Sequence, residues 1–344
     1  MKYRSVIVTQ NGGPEVMQII ENELRPPRSG EVRIRILASA VSRPDVTVRA
    51  GKALYSGTPL GQKAPFVPGY AIVGVVDALG SGVREVAIGD RVGAITVIGG
   101  YSEYVYRKSN LLIPVPGTLD PAEAVTLILN YLVAYQALHR SAKVNAGDKV
   151  LLIGASGGIG TALLQLGKLA GLKMYALASR SKHPILVEYG AIPIDYHTQD
   201  FVDVVRQAEP GGIQAVISGM TRMDYIRGGL ALLRRGGTLV SFGEPDSFST
   251  LFRVLGTMLK VNLLPTGNTI KLYGTSTYFI GDKKPYLDDW ATLFELLQEN
   301  QIKPVIEKKF PILEAAQANR LLESGQVTGN LVLLAPELLQ DISF

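Results

Sequence analysis

Residues 149–178 read KVLLIGASGGIGTALLQLGKLAGLKMYALA: an apolar run, a glycine cluster, a helical pattern, then a second apolar run. This unit constrains the fold strongly, because two parallel strands need a crossover and the crossover is usually a helix lying on the sheet. The helical part ends at Gly171, a residue suited to a left-handed cap. Ala155, Gly157 and Gly160 hold the three small positions of a dinucleotide-binding turn. One makes the tight turn, one lets the backbone approach a pyrophosphate, and one lets helix and strand pack closely. Ser156, Gly158 and Ile159 complete the loop. The free N–H groups and positive dipole end of the next helix suit a phosphate there. The bare alternative is a tight turn with close packing and no ligand.

The rest of the chain sorts around that unit. From 149 to 278 apolar strands alternate with helical stretches across short loops, ending in an extended piece at Lys271–Tyr278. Alternation of this kind predicts βαβ units and a doubly wound parallel sheet. The first ~120 residues instead show short strands, such as Glu31–Ala38, Ala71–Leu79 and Arg91–Val97, broken by NGGP, PPRSG and GSG. They predict an antiparallel barrel or sandwich. A helical period with an acidic first turn begins at Asp120. Two amphipathic helices and two extended pieces fill the tail, which is expected to pack back on the first domain. The fold class is α/β plus β, with the domains at 1–121 plus 279–344 and at 122–278.

An NAD site places an Asp or Glu about 20 residues after the glycines, on the ribose 2′-hydroxyl. Here no acid lies between Asp148 and Glu188, and the second strand ends in Ser179, Arg180, Ser181 and Lys182. Cations and hydroxyls there suit a 2′-phosphate, so NADPH is the expected cofactor. Composition removes other classes. With no cysteine among 344 residues, there is no disulfide, no thiolate nucleophile and no Cys-ligated zinc. The three histidines lack metal-site spacing, and no metal is expected. The net charge of +5 is dispersed, which argues against a nucleic-acid partner. No run approaches the roughly 18 apolar residues of a membrane span, and MKYRSVIVTQ is too short for a secretory signal, so a cytoplasmic protein is expected.

Eight stretches then resemble one family in order: SRPDVTVRAG, PFVPGYAIVGVVDALGSGVREVAIGDRV, GGYSEYV, LNYLVAYQAL, AGDKVLLIGASGGIGTALLQLGKLAG, YGAIPIDY, GGTLVSFGEP and FPILEAAQANRLLESGQVTGNLVL. They are similar to zinc-independent medium-chain dehydrogenases/reductases of the quinone oxidoreductase (zeta-crystallin-like) branch, close to VAT-1-like members. The resemblance implies a GroES-like barrel catalytic domain, built from both chain ends, with a Rossmann-type NADPH-binding domain inserted and the active site in the cleft. It implies a homodimer through the edge strand near Lys271–Tyr278. Zinc-dependent cousins carry Gly-His-Glu where this chain has Gly69-Tyr70-Ala71.

The implied chemistry is hydride transfer from NADPH to a quinone or an α,β-unsaturated carbonyl, the small-molecule substrate. A conjugated acceptor delocalises the incoming charge and does not need zinc as a Lewis acid. Two alternatives stay open: an enoyl-thioester reductase and a non-catalytic NADPH-binding interaction protein. The resemblance implies catalytic-loop residues at Ser42, where the family has Asn, and at Asp45, with Tyr55 following. Asp45 reads equally as a helix cap, and Tyr55 as a mobile-loop aromatic. Further implied cofactor contacts are Asn130, Val133, Lys182, Tyr196, Phe242, Gly243, the backbone at Thr277, Tyr278 and Phe279, and Asn330, where the family has Lys. Tyr196 reads equally as a strand aromatic packed in the core.

Overall fold

The computed structural model describes residues 1–275 and 277–339. In chain order the first part holds β1 (Lys2–Val8), β2 (Met17–Glu23), β3 (Glu31–Val41), α1 (Arg43–Arg49), β4 (Ala71–Leu79), β5 (Arg91–Ile95), β6 (Tyr104–Lys108), β7 (Ile113–Pro114), α2 (Pro121–Thr126) and α3 (Leu132–Tyr135). Then come β8 (Lys149–Ile153), α4 (Gly158–Leu169), β9 (Lys173–Ala178), α5 (His183–Glu188), β10 (Ile192–Asp195), α6 (Phe201–Ala208), β11 (Ile213–Ser218), α7 (Met223–Leu232), β12 (Leu233–Ser241), α8 (Phe248–Leu263), β13 (Thr269–Leu272) and α9 (Thr277–Ile280). The chain closes with α10 (Lys284–Gln298), β14 (Ile306–Pro311), α11 (Ala315–Glu323) and β15 (Asn330–Leu334). It forms two compact units: a split unit of Met1–Leu129 with Trp290 onward, and an inserted unit of Asn130–Asp289. The sequence pattern had placed the divisions at 121/122 and 278/279.

The split unit is built on a seven-stranded sheet ordered β14-β15-β3-β4-β5-β7, with β6 also on β3. All its pairs are antiparallel except β14–β15. Strand β3 shows why. Its Val32, Ile34 and Ile36 are buried while Arg33 and Arg35 between them stay half-exposed, the period-2 pattern of a one-sided sheet. Phe310, Leu331 and Leu333 join the same core as Val32, Ile34 and Ile72, which is what brings the tail back to the first sheet.

The inserted unit holds a six-stranded parallel sheet ordered β10-β9-β8-β11-β12-β13. Relative to the unit's own first strand the order is 3-2-1-4-5-6, the Rossmann arrangement, which reverses direction between β8 and β11. Residues Val150–Ile153 are all buried, as expected of a central parallel strand covered on both faces.

Two local expectations need correction, and one strand, β2, was not expected. The helix expected from Asp120 is not uniform: π-helical turns occupy Leu127–Tyr131 and Gln136–Ala142, flanking α3. Strand β2 lacked a signal strong enough to be read. The edge strand is Thr269–Leu272 rather than Lys271–Tyr278, and Thr277–Ile280 is a helical turn. Tyr, Thr and Phe in that segment favour strands, but the ladder ends with Tyr273 N donating to Ser241 O at 2.8 Å. Helix α8 lies beside the edge strand, and its Asn262 side chain bonds both the amide and the carbonyl of Ile270. Elsewhere along its surface α8 leaves Phe252 (69%), Leu259 (63%) and Leu263 (76%) exposed. No helix among the described residues is long and apolar enough to cross a membrane.

Candidate functional site

The register of the parallel sheet ends all six strands on one edge. Ile153, Leu177 and Ser218 are paired, Ser218 faces Ser241, Ser241 faces Leu272, and Ala178 faces Asp195. The glycine turn leaves this edge from the central strand. Gly154 has φ +85°, and Ala155 N donates to Leu177 O at 3.2 Å. A Cβ on Gly160 would lie 2.3 Å from Gly154 O and 2.4 Å from the Ala155 carbonyl carbon, so glycine is obligatory where the helix crosses its own turn. A Cβ on Gly157 would meet nothing closer than 3.9 Å, leaving the outer face of the turn open.

Thr161 N is the first amide of α4 to find a helical acceptor, Gly157 O at 2.8 Å. No side chain caps this end, and the amides of Gly158, Ile159 and Gly160 donate to no described group. Three convergent N–H donors at a helix N-terminus match a pyrophosphate in both charge and chemistry. The residues present therefore fit a dinucleotide.

The second-strand corner carries the cations. Ser179 follows Ala178, and Tyr196 follows Asp195, so the register puts the two side by side. Ser179 and Ser181 hydroxyls lie 3.4 Å apart, Arg180 is exposed and Lys182 is half-buried. Tyr196 is 48% exposed, its ring 4.3 Å from that of His197, which corrects the reading of a core-packed strand aromatic. The nearby acid, Asp195, turns inward to accept from His197 N and Thr198 Oγ1, both at 3.1 Å.

Phe242 and Gly243 continue the same edge. Phe242 N donates to Ser218 O at 3.0 Å, and a Cβ on Gly243 would sit 2.4 Å from Gly219 O. The hydroxyls of Thr221 and Ser241, 2.7 Å apart, were not singled out in the sequence; position just beyond a strand end is the signal that marks them. Asn130 and Val133 are buried on the helical segment of Leu127–Tyr135. Tyr278 is buried between the rings of Phe279 and Tyr286, and burial pushes its hydroxyl up to about 12. Its backbone, not its phenol, is what it can offer. The Thr277 side chain lies outside the described residues.

In the split unit, register again gathers the candidates. Ala40, Ala71 and Ile95 are successive partners, and Leu331 faces Val41. One rim therefore holds Ser42, Tyr70, Thr96 and Asn330. Ser42 caps α1, and its amide and hydroxyl both donate to Asp45 Oδ2, at 2.9 and 2.6 Å. Gly69 N donates to Asp45 Oδ1 at 2.9 Å. Burial pushes the Asp45 carboxyl up to about 6, against these bonds and a further one from Tyr101. Asn319 Nδ2 reaches the Tyr101 hydroxyl at 3.4 Å. Arg49 is fully buried and donates to Gly12 O and Glu323 Oε1, both at 2.7 Å. Asn330 is also buried, and its Nδ2 donates to Val305 O at 2.9 Å. Tyr55 differs from Ser42 and Asp45: it is 46% exposed on the loop after α1. Among the described residues, no group of three or more His, Asp or Glu side chains could hold a metal.

Two family models match the chain: the alcohol dehydrogenase GroES-like domain over residues 28–117 and a model described as zinc-binding dehydrogenase over 190–333. Rat quinone oxidoreductase is 30% identical over 337 residues, covering 96% of this chain and 97% of the relative. The rat synaptic vesicle membrane protein VAT-1 homolog is 30% identical, covering 96% of this chain and 84% of its own. Among solved structures, mycobacterial Rv1454c complexed with NADPH is 26% identical with a TM-score of 0.80, covering 96% of this chain and 99% of that one. The chain belongs to the medium-chain dehydrogenase/reductase family, alongside its quinone oxidoreductases and VAT-1 homologues, and is an oxidoreductase.

Proposed function

We propose that the chain is an NADPH-dependent reductase of quinones or α,β-unsaturated carbonyls that works without zinc. The observation that carries this reading is the inserted unit's cradle: three unspent amides at the start of α4. They stand in the same sheet as a corner where Ser179, Arg180, Lys182 and Tyr196 meet and Asp195 is turned away. Bound there, NADPH would supply the hydride. The amides of Gly158–Gly160 hold the pyrophosphate, and Arg180 and Lys182 neutralise the 2′-phosphate. Val133, Phe242, Gly243 and the backbone of Tyr278 line the nicotinamide side. In the split unit, Ser42 and Asp45 spend their polar atoms on each other and on Gly69, so they position the rim. Tyr55 is the exposed hydroxyl that can deliver a proton, with water as the other source. The absence of cysteine and the Gly69-Tyr70-Ala71 sequence support chemistry without zinc.

The proposal includes a cytoplasmic homodimer. Its support is the exposed apolar face of α8, Phe252, Leu259 and Leu263, beside the end strand β13, whose outward Ile270 amide and carbonyl are already taken by Asn262.

The test is a binding and turnover series with quinones, enals, enones and enoyl thioesters. NADPH should bind more tightly than NADH. Arg180→Ala with Lys182→Ala should weaken NADPH about tenfold or more while leaving NADH unchanged, because two charge-assisted bonds are lost. Equal affinity for the two cofactors would overturn the 2′-phosphate assignment. Tight NADPH binding without turnover of any acceptor would overturn the reductase reading.

A further inference from the structure

Val97 has φ +62°, in the left-handed region. For a β-branched residue this is a genuine outlier, and such conformations persist only where the surroundings over-determine them. Here they do. Thr96 N and Val97 N both donate to Tyr70 O, at 2.8 and 3.3 Å. Gly99 N donates to Val67 O at 2.7 Å, Gly100 N to Gly69 O at 3.1 Å and Tyr101 N to Pro68 O at 2.8 Å. The Arg107 guanidinium donates to the carbonyls of Thr96 and Ile98, on either side of Val97. The two loops touch backbone to backbone: a Cβ on Gly69 would lie 2.4 Å from Gly100 Cα. Asp45 fixes the same segment from behind through Gly69 N.

The strain does not serve the core, because Val97 remains 46% exposed. What the clamp achieves is to hold one rigid isopropyl group outward, next to the rim where register places Ser42, Tyr70 and Asn330. Neighbouring Ile98 packs against the core of Val8, Val16 and Phe66, which Val48 of α1 and Ala64 also join, so the loop is anchored right beside Val97. We propose that Val97 is a specificity-determining residue, an apolar stop that limits the bulk of the acceptor the split unit admits. This rests on the reductase reading above. Strained backbone gathers at sites where a fixed geometry is used, and a flat, apolar acceptor is discriminated by shape. One or two methyl groups in such a wall are worth about 10- to 200-fold in selectivity.

The experiment compares wild type, Val97→Ala and Val97→Gly with cyclohexenone as a small acceptor and phenanthrenequinone as a large one. Glycine tolerates the left-handed backbone, so Val97→Gly keeps the loop if the alanine variant does not. The expected result is a shift of about tenfold in the ratio of kcat/KM values toward phenanthrenequinone. The shift should appear mainly in KM, with NADPH affinity and melting temperature held. An unchanged ratio in both variants, or an equal loss with both acceptors, overturns the inference while leaving the reductase reading intact. No turnover by wild type with any acceptor overturns the reductase reading, and the inference falls with it.

Discussion

Asp45 in the split unit and Glu209 in the inserted unit are both carboxylates cut off from water, at 3% and 4% exposure, and their surroundings drive them in opposite directions. Around Asp45 the donors are neutral: an amide and hydroxyl of Ser42, the amide of Gly69 and the phenol of Tyr101. Burial wins, and the carboxyl moves up to about 6. Burial also pushes Glu209 up, but Lys149, Lys173 and Tyr175 outweigh it and hold the carboxyl at about 2. The two lysine ammoniums decide the difference. Neutral hydrogen bonds orient a buried carboxylate, whereas full opposite charges keep it ionised. Glu209 ties the first residues of β8 and β9 to the end of α6, a fixed structural knot. Asp45 is bonded to Ser42 on the rim and to Gly69, whose carbonyl accepts from Gly100 N in the loop that carries Val97.

The largest expected effect comes from emptying the neutral nest. Asp45→Ala leaves four buried donors without this acceptor, at about 1–3 kcal/mol each. Urea denaturation should show a loss of about 3 kcal/mol or more; a loss below about 1 kcal/mol would mean that water replaces the carboxylate freely.

The next effect is a pH asymmetry. The folded value of Asp45 lies above its ordinary 3.8, so its contribution is fully present below about 3.8 and is lost as pH rises through about 6. The change should total about 3 kcal/mol over that window, read as the stability difference between wild type and Asp45→Asn. Glu209 works the other way: its contribution is present above 4.5 and is lost as pH falls through about 2. The wild-type minus Glu209→Gln difference should therefore shrink with acid. Slopes of the same sign in the two series would break the comparison.

The smallest effect sharpens it. Lys149→Ala leaves one ammonium on Glu209 and should raise that carboxyl's titration midpoint by roughly one pH unit, followed by carbon-detected NMR. No movement would assign the whole depression to Lys173 and Tyr175.

The inserted sheet was legible in the sequence because its strands are apolar on both faces and its helices periodic. Ala155, Gly157 and Gly160 marked the turn because they fall between an apolar run and a helical pattern, where the spacing by itself would say little. The Ser42–Asp45 pairing was also local, since Ser at a cap with an acid three residues on is a capping pattern. What stayed hidden depends on contacts distant in sequence. Nothing near Asp45 announces Gly69 or Tyr101, and nothing in TVIGG announces a left-handed valine, which exists because Arg107 and the 67–70 loop impose it. The edge strand was misplaced because Tyr, Thr and Phe favour strands on average, whereas the neighbouring strand runs out of partners after Ser241.

Helix α8 carries a last consequence. Phe252, Leu259 and Leu263 are held toward solvent, and in the proposed homodimer that face would leave water only when a second copy arrives. By mass action, part of the inserted unit's stability would then depend on how many other copies are in solution. Dilution would become a perturbation of that unit alongside heat and urea, with Asn262 tying the helix to Ile270 of β13.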